Sequence, residues 1–107
     1  MKTATENSQE TLKSLPEIIK IFLKHRERLQ KEYGVEHLKI FGSYARNEQR
    51  KDSDLDVIVS LNGKIDLFEF VDLKYYLEEI TGLQVDLTTD KGISPFIKPY
   101  IREIEVF

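Results

Sequence analysis

Two aspartates separated by one residue, Asp54 and Asp56, are the side chains of this sequence best suited to chemistry. They open the segment DLDVIVSL, residues 54–61, whose β-branched residues predict a strand. Side chains two positions apart on a strand project from the same face, so these carboxylates would lie side by side and repel each other. Mg²⁺ prefers such oxygen ligands and usually takes one or two carboxylates besides water and substrate phosphates. The pair therefore indicates a nucleotide site.

A Gly-Ser pair, Gly42 and Ser43, precedes the aspartates. It follows HLKIF, residues 37–41, which reads as a short strand, and it lies where a short helix could begin. Glycine lets a phosphate approach the backbone closely, and helix-end N–H groups and the Ser43 hydroxyl would donate to it. The sequence has neither the longer glycine-lysine phosphate loop nor the dinucleotide glycine fingerprint. A phosphate-binding turn of another class is therefore expected here.

A third carboxylate, Asp86, lies in the segment LQVDLTT, residues 83–89. Alternation there predicts a strand whose polar side carries Asp86 and whose other side is apolar. If this strand neighbours the first, Asp86 completes a three-carboxylate cluster. Two Mg²⁺ ions about 3.5–4 Å apart could then align an attacking hydroxyl with the α-phosphate of a nucleoside triphosphate and neutralise the leaving pyrophosphate. Asp86 would help to deprotonate the attacking hydroxyl.

Three basic residues, Arg46, Arg50 and Lys51, lie between the Gly-Ser pair and the aspartates. Basic loop residues are more often plain surface than ligands, and among these three Arg46 is the best candidate for contact with a triphosphate. The Gly-Ser pair alone and the Asp-x-Asp pair alone are weak evidence for a site; acidic pairs at a strand entrance, for example, are usually solvated or cap a turn. Their joint occurrence, with VDL downstream, favours a site for nucleotidyl transfer.

The helices that would carry this site have clear ends. SLPE, residues 14–17, reads as a capping box, and a helix is expected from there to Gly34. A second helix begins at the capping box of Asp66 and Glu69 and ends at Gly82. Its predicted buried stripe is Phe70, Leu73, Leu77 and Ile80. A second apolar strip on that helix, made of Phe68, Val71 and Tyr75, is either a wide core contact or a partner surface. In KPYIREI, a short helix is expected to begin at Pro99, before a brief final EVF.

A chain of 107 residues is expected to form one domain. The order of elements predicts an α+β fold, a small mixed β-sheet with helices packed against it. Residues 1–10 read as a polar N-terminal tail and 11–107 as the domain. The formal net charge of -3 argues against long nucleic acid as a partner. With no cysteine, no signal peptide and no membrane span expected, the chain is predicted to be cytoplasmic.

The motifs GSYAR, SDLDV and VDL together resemble the minimal nucleotidyltransferase (MNT) domain of the polymerase-β-like superfamily, over most of the chain from about Tyr33 to its end. That family's signature is Gly-Ser, a spacer of about ten residues, Asp-x-Asp and a third carboxylate on a later strand. The corresponding residues here are Gly42, Ser43, Asp54, Asp56 and Asp86. One departure is Asn47, where many members carry glycine; asparagine tolerates a left-handed backbone.

The resemblance implies a function as well as a fold. Small stand-alone members are commonly antitoxins of a HEPN/MNT toxin–antitoxin pair, which use Mg²⁺ and ATP to transfer AMP to a tyrosine of a HEPN ribonuclease toxin and so neutralise it. The size of the chain agrees, because it has no room for an acceptor-binding domain. Two alternatives remain open: a binding module that silences the toxin by contact alone, and, less favoured, a nucleotidyltransferase that acts on a small molecule.

Overall fold

The computed structural model describes residues 13–92 and 102–107. The predicted tail, residues 1–10, and the predicted helix start at Pro99 lie outside this part of the chain. Within it the helices are α1 (Leu15–Lys24), α2 (Arg26–Tyr33), α3 (Gly42–Ala45) and α4 (Leu67–Thr81), with a 3₁₀ turn at Asp90–Gly92. The strands are β1 (Val35–Phe41), β2 (Leu55–Leu61), β3 (Val85–Thr89) and β4 (Ile104–Glu105).

The first predicted helix begins where the capping box placed it but is interrupted. The Glu17 amide donates to the Ser14 hydroxyl at 3.3 Å, and the Ser14 amide donates to the Glu17 carboxylate at 2.9 Å. At His25 the backbone leaves helical geometry, with φ −104° and ψ 11°. There the ring nitrogen Nδ1 lies 2.9 Å from the carbonyl oxygen of Ile21, in the preceding turn. The single helix expected up to Gly34 is therefore two helices, and Gly34, at φ 70°, ends the second.

The four strands form one mixed sheet in the order β3-β2-β1-β4. β1 is antiparallel to both β2 and β4, whereas β2 and β3 are parallel. Consecutive buried residues, Val57, Ile58 and Val59, mark β2 as a central strand, as predicted. The prediction of a helix in KPYIREI is wrong at its end, because Ile104 lies in a strand that pairs with Ile40 of β1. A partner strand 64 residues away in sequence leaves no local signal for this pairing.

The core lies between one face of the sheet and helices α1, α2 and α4. The capping box of α4 forms as predicted, with the Glu69 amide donating to Asp66 at 2.8 Å. Its predicted stripe is buried at Leu73 and Leu77 and half-buried at Phe70 and Ile80. No helix in the described ranges is long and apolar enough to cross a bilayer. The fold is the predicted α+β arrangement, a small mixed sheet with helices packed against it.

Candidate nucleotide site

The candidate site forms where β1 ends beside the start of β2. Antiparallel pairing places Phe41, the last residue of β1, opposite Asp56. Parallel pairing on the other side of β2 places Asp86 opposite Asp56. Gly42 follows Phe41 directly, so strand register alone brings the Gly-Ser turn and two of the predicted carboxylates together.

Alternation along the strands sets the direction of these carboxylates. Val57 and Leu87 lie in the core, so Asp56 and Asp86, one position earlier on each strand, point from the opposite face of the sheet. Asp56 is half-buried there and Asp86 is exposed, as its place on the polar side of the strand predicted. Asp54 is also exposed and lies one residue before β2 begins, so it borders the pair from the loop.

Asp56 is the electrostatically strained member of this group. Burial is the largest cause that raises its pKa from 3.8 to about 6, followed by the negative charges of Asp86 and Asp54. A hydrogen bond between the Asp56 and Asp86 side chains also raises this pKa, and the cation of Arg46 opposes the shift. Two carboxyl groups in contact repel each other when both are ionised and therefore share a proton readily. A cation bound beside the pair would relieve this repulsion.

Gly42 is required by its contact with Asp56 as well as by its backbone. Its φ is +74°, in the left-handed region that glycine adopts freely. A Cβ added at this position would lie 2.9 Å from Cγ of Asp56 and would overlap its Oδ2. The sequence suggested that glycine makes room for a phosphate; the structure shows that it also makes room for the Asp56 carboxylate.

The remaining predicted residues surround this centre. Ser43 is half-buried in the four-residue helix α3. Arg46, just beyond α3, donates from Nε to Glu48 at 3.0 Å and is half exposed. Asn47 has a φ of 58°, which agrees with its expected tolerance of a left-handed backbone. Glu48 was not predicted as part of the site, although its negative charge two residues from Arg46 indicated that the two side chains could pair.

Tyr44 is a second residue that was not predicted to support the site. It is 1% exposed, and its ring anchors α3 in the core. Burial raises the pKa of its hydroxyl, and the negative charge of Asp54 adds to the effect. The Gly-Ser turn is therefore fixed on one side by a buried aromatic ring. An aromatic residue directly after the Gly-Ser pair was the available signal.

The donor set can be tested against the Mg²⁺ that the resemblance implies. Within the described ranges no group of three or more His, Cys, Asp or Glu side chains is close enough to hold a metal ion. The expected three-carboxylate cluster is thus present as a hydrogen-bonded pair, Asp56 and Asp86, with Asp54 at its border. One or two carboxylates are what Mg²⁺ usually takes from a protein, so the pair fits this ion and leaves positions for water and phosphate oxygens.

Two pockets lie at opposite ends of the sheet. One of about 340 Å³ opens beside Asp54 and is also lined by Lys51, Ser53 and Gln84. A larger one of about 540 Å³ is lined by Leu61 and Thr89, the last residues of β2 and β3, and so lies away from the carboxylates. Neither of these two pockets is lined by Gly42, Ser43, Asp56 or Asp86, and the smaller one touches the candidate site only through Asp54.

Comparisons with known proteins agree with this geometry. A family model described as a nucleotidyltransferase domain matches residues 22–107. The chain is 40% identical over 93 residues to MJ1217 of Methanocaldococcus jannaschii, a candidate protein adenylyltransferase, covering 86% of this chain and 95% of that protein. It is 37% identical over 92 residues to the protein adenylyltransferase MntA of Thermococcus cleftensis, covering 85% of this chain and 93% of that protein.

Solved structures show the same fold. A candidate minimal nucleotidyltransferase superposes with a TM-score of 0.65 at 31% identity, over 80% of this chain and 93% of the other. A triply AMPylated HEPN toxin of Shewanella oneidensis in complex with its MNT antitoxin matches with a TM-score of 0.58 at 16% identity, over 83% of this chain and 71% of that chain. The second likeness is one of fold alone.

Proposed function

The chain belongs to the nucleotidyltransferase domain family, and on that premise we propose that it transfers AMP from ATP to a hydroxyl group of a partner protein. The proposed acceptor is a tyrosine of a HEPN-type ribonuclease toxin, which the transfer silences. The observation that carries the proposal is the pairing of Asp56 with Asp86 beside Gly42. Relatives that are 37–40% identical and named or considered protein adenylyltransferases support it.

Each residue has a proposed role in the reaction. The backbone at Gly42 and the Ser43 hydroxyl hold phosphate oxygens, and Arg46 leaves Glu48 to contact the triphosphate. Asp56 and Asp86 would hold Mg²⁺, and Asp54, at the border of the pair, is a further proposed ligand; the ion, when bound, would neutralise both the carboxylates and the charge on the phosphates. Asp86 is the proposed base, because it is the exposed member of the pair and an incoming hydroxyl meets it first.

The transfer itself balances as a single displacement. The acceptor oxygen forms a bond to the α-phosphorus of ATP, and the bond from that phosphorus to the bridging oxygen breaks. Pyrophosphate leaves, and the hydroxyl proton goes to the Asp86 carboxylate. We assign the activity to one domain, residues 11–107, and place it in the cytoplasm, where ATP is available.

The proposal is tested by transfer of label from radiolabelled ATP to the purified protein encoded by the adjacent gene, with Mg²⁺ present. Asp54→Asn and Asp56→Asn should reduce transfer by at least about 100-fold while the circular-dichroism spectrum stays native. The matched control is Glu36→Gln, which likewise replaces a carboxylate by an amide, at an exposed position near the start of β1 and at the other end of that strand from Phe41. Full transfer by both site variants would refute the assignment.

A second candidate, silencing by contact alone, is favoured by one observation. Phe68 and Tyr75 form an exposed aromatic surface on α4, separate from the carboxylates. A protein that binds its partner tightly but leaves the partner's mass unchanged in the presence of Mg²⁺ and ATP would be this binding module.

A further inference from the structure

The outer face of α4 carries a stripe of aromatic and acidic side chains. Phe68 is 80% exposed and Tyr75 is 59% exposed, and Asp72 and Glu79 are exposed on the same face. Their spacing of four, three and four residues aligns them along the helix. These four residues are called the docking stripe. The sequence left two interpretations open for the strip of Phe68, Val71 and Tyr75, a wide core contact or a partner surface. Val71 is half-buried, and the exposure of Phe68 and Tyr75 favours the partner surface.

Poor packing does not account for this exposure. Leu73 and Leu77, on the opposite side of α4, are fully buried in the core, and Tyr76 beside them is 7% exposed. One face of α4 therefore packs in the core, and the other face presents large aromatic rings to solvent. Exposed aromatic rings of this kind are enriched at the energetic centres of protein interfaces.

An acidic pocket adjoins the docking stripe. It has a volume of about 200 Å³ and is lined by Glu32, Tyr33, Ile65, Glu69 and Asp72. Arg28 pairs with Glu32 at 3.1 Å, and Glu69 caps its own helix. Asp72 belongs to both the pocket and the stripe, and within the described ranges it forms no ion pair. The pocket has the charge and the size to take one lysine or arginine side chain.

We propose that the docking stripe binds a partner protein through an apolar surface bordered by lysine or arginine, with one basic side chain in the acidic pocket. Lys74 lies over the Tyr75 ring, with Nζ 5.7 Å from the ring centre, but it pairs with Glu78 at 3.8 Å, so Asp72 and Glu79 keep no ion pair among the described residues. A second copy of this chain is a poor occupant, because it would bring Asp72 and Glu79 against the same carboxylates. The occupant is the acceptor protein, and this identification rests on the proposed function.

The stripe and the nucleotide site lie on different sides of the sheet. Asp56 and Asp86 point away from the core, whereas α4 covers the core side through Leu73 and Leu77. An acceptor anchored on α4 must therefore present its hydroxyl around the edge of the sheet, on an extended segment. Anchoring and transfer are separate steps, and each can be removed without the other.

The test measures binding and transfer separately, with the purified product of the adjacent gene as the probe. Calorimetry gives Kd, and labelled ATP gives kcat and KM for that protein. The docking variant is Phe68→Ala with Tyr75→Ala, and a second variant is Asp72→Lys. The controls are Leu23→Ala, which is 45% exposed on α1, and Glu36→Lys on β1. Both changed rings are exposed, so the variants should keep the parent's melting temperature.

The docking variant and Asp72→Lys should each raise Kd and KM about 30-fold or more, with kcat at saturating acceptor close to that of the parent. The controls should bind like the parent, and Asp56→Asn should bind but not transfer. Parent-like binding by both docking variants, or no binding by the parent, would overturn the inference. If the parent binds the acceptor without transferring AMP and the docking variants do not bind, the stripe is supported as a binding surface and the proposed enzyme activity is refuted. Self-association of the parent by light scattering, abolished in the docking variant, would reassign the stripe to a dimer and overturn the proposal.

Discussion

Replacing Asp56 by asparagine should stabilise the metal-free protein, although it removes a residue of the proposed site. The pKa of Asp56 is about 6 in the folded protein against an ordinary 3.8, mainly because of burial and the charge of Asp86. Between these two values the folded protein holds a proton that the unfolded chain releases. The free energy of unfolding therefore falls as pH rises through this window, and the loss is complete above the folded pKa.

The size of this effect follows from the shift. About two pKa units correspond to about 3 kcal/mol, and solvent screening of a half-buried carboxylate reduces this to about 1–2 kcal/mol. Asparagine has the shape of the protonated acid without its charge, so the variant should avoid this loss at neutral pH. For a domain of this size the gain corresponds to a melting temperature higher by roughly 5–10 °C.

Melting curves in EDTA at about pH 7.5 and about pH 4 test the reasoning. The stabilisation should be present at the higher pH and much smaller at the lower one, because at about pH 4 Asp56 is protonated in the folded parent and roughly half protonated in the unfolded chain. Asp72→Asn controls for the chemical change on an exposed carboxylate. Addition of Mg²⁺ and ATP should stabilise the parent more than Asp56→Asn, since only the parent keeps the pair. A variant that melts below the parent in EDTA at neutral pH would refute the strained-pair account.

Three further predictions follow from single contacts. Gly42→Ala should cost about 2–4 kcal/mol in urea unfolding, because it adds overlap with a carboxylate to a left-handed backbone, whereas Gly63→Ala, in open space at φ +95°, should cost only about 1 kcal/mol. Arg46→Gln should raise KM for ATP about tenfold, because Arg46 is the proposed contact of the triphosphate, whereas Glu48→Gln, which frees the Arg46 guanidinium, should not raise KM. Equal KM values for the parent and the two variants would exclude Arg46 as a ligand. Asp66→Ala should destabilise the fold by about 1 kcal/mol through loss of the α4 cap, and an unchanged urea midpoint would contradict that role.

Local signals in the sequence predicted the helix ends well. Ser14 with Glu17 and Asp66 with Glu69 form the expected capping boxes, because both partners lie within one turn of chain. Gly82 ends α4 at φ 71° for the same local reason. The interruption at His25 was not predictable from apolar spacing, because the buried residues on both sides keep helical periodicity.

Features that depend on strand register were predictable only in part. The alternation of LQVDLTT correctly gave the direction of Asp86, but only the parallel pairing of β2 with β3 brings it opposite Asp56. The contact between Gly42 and Asp56 depends on the register of β1 with β2, which no local pattern specifies. The pairing of Ile104 with β1 is likewise a long-range contact, so a short helix was the local expectation there.

The central claim, that this chain adenylylates a protein partner through Asp56, is tested most directly by the intact mass of the acceptor. The protein encoded by the adjacent gene is incubated with this chain, ATP and Mg²⁺ and then weighed by mass spectrometry. The parent should add one or more AMP units, located on tyrosine by peptide mapping, and Asp56→Asn should add none while still binding the acceptor. An acceptor of unchanged mass with the parent, or equal adducts with Asp56→Asn, would contradict the claim.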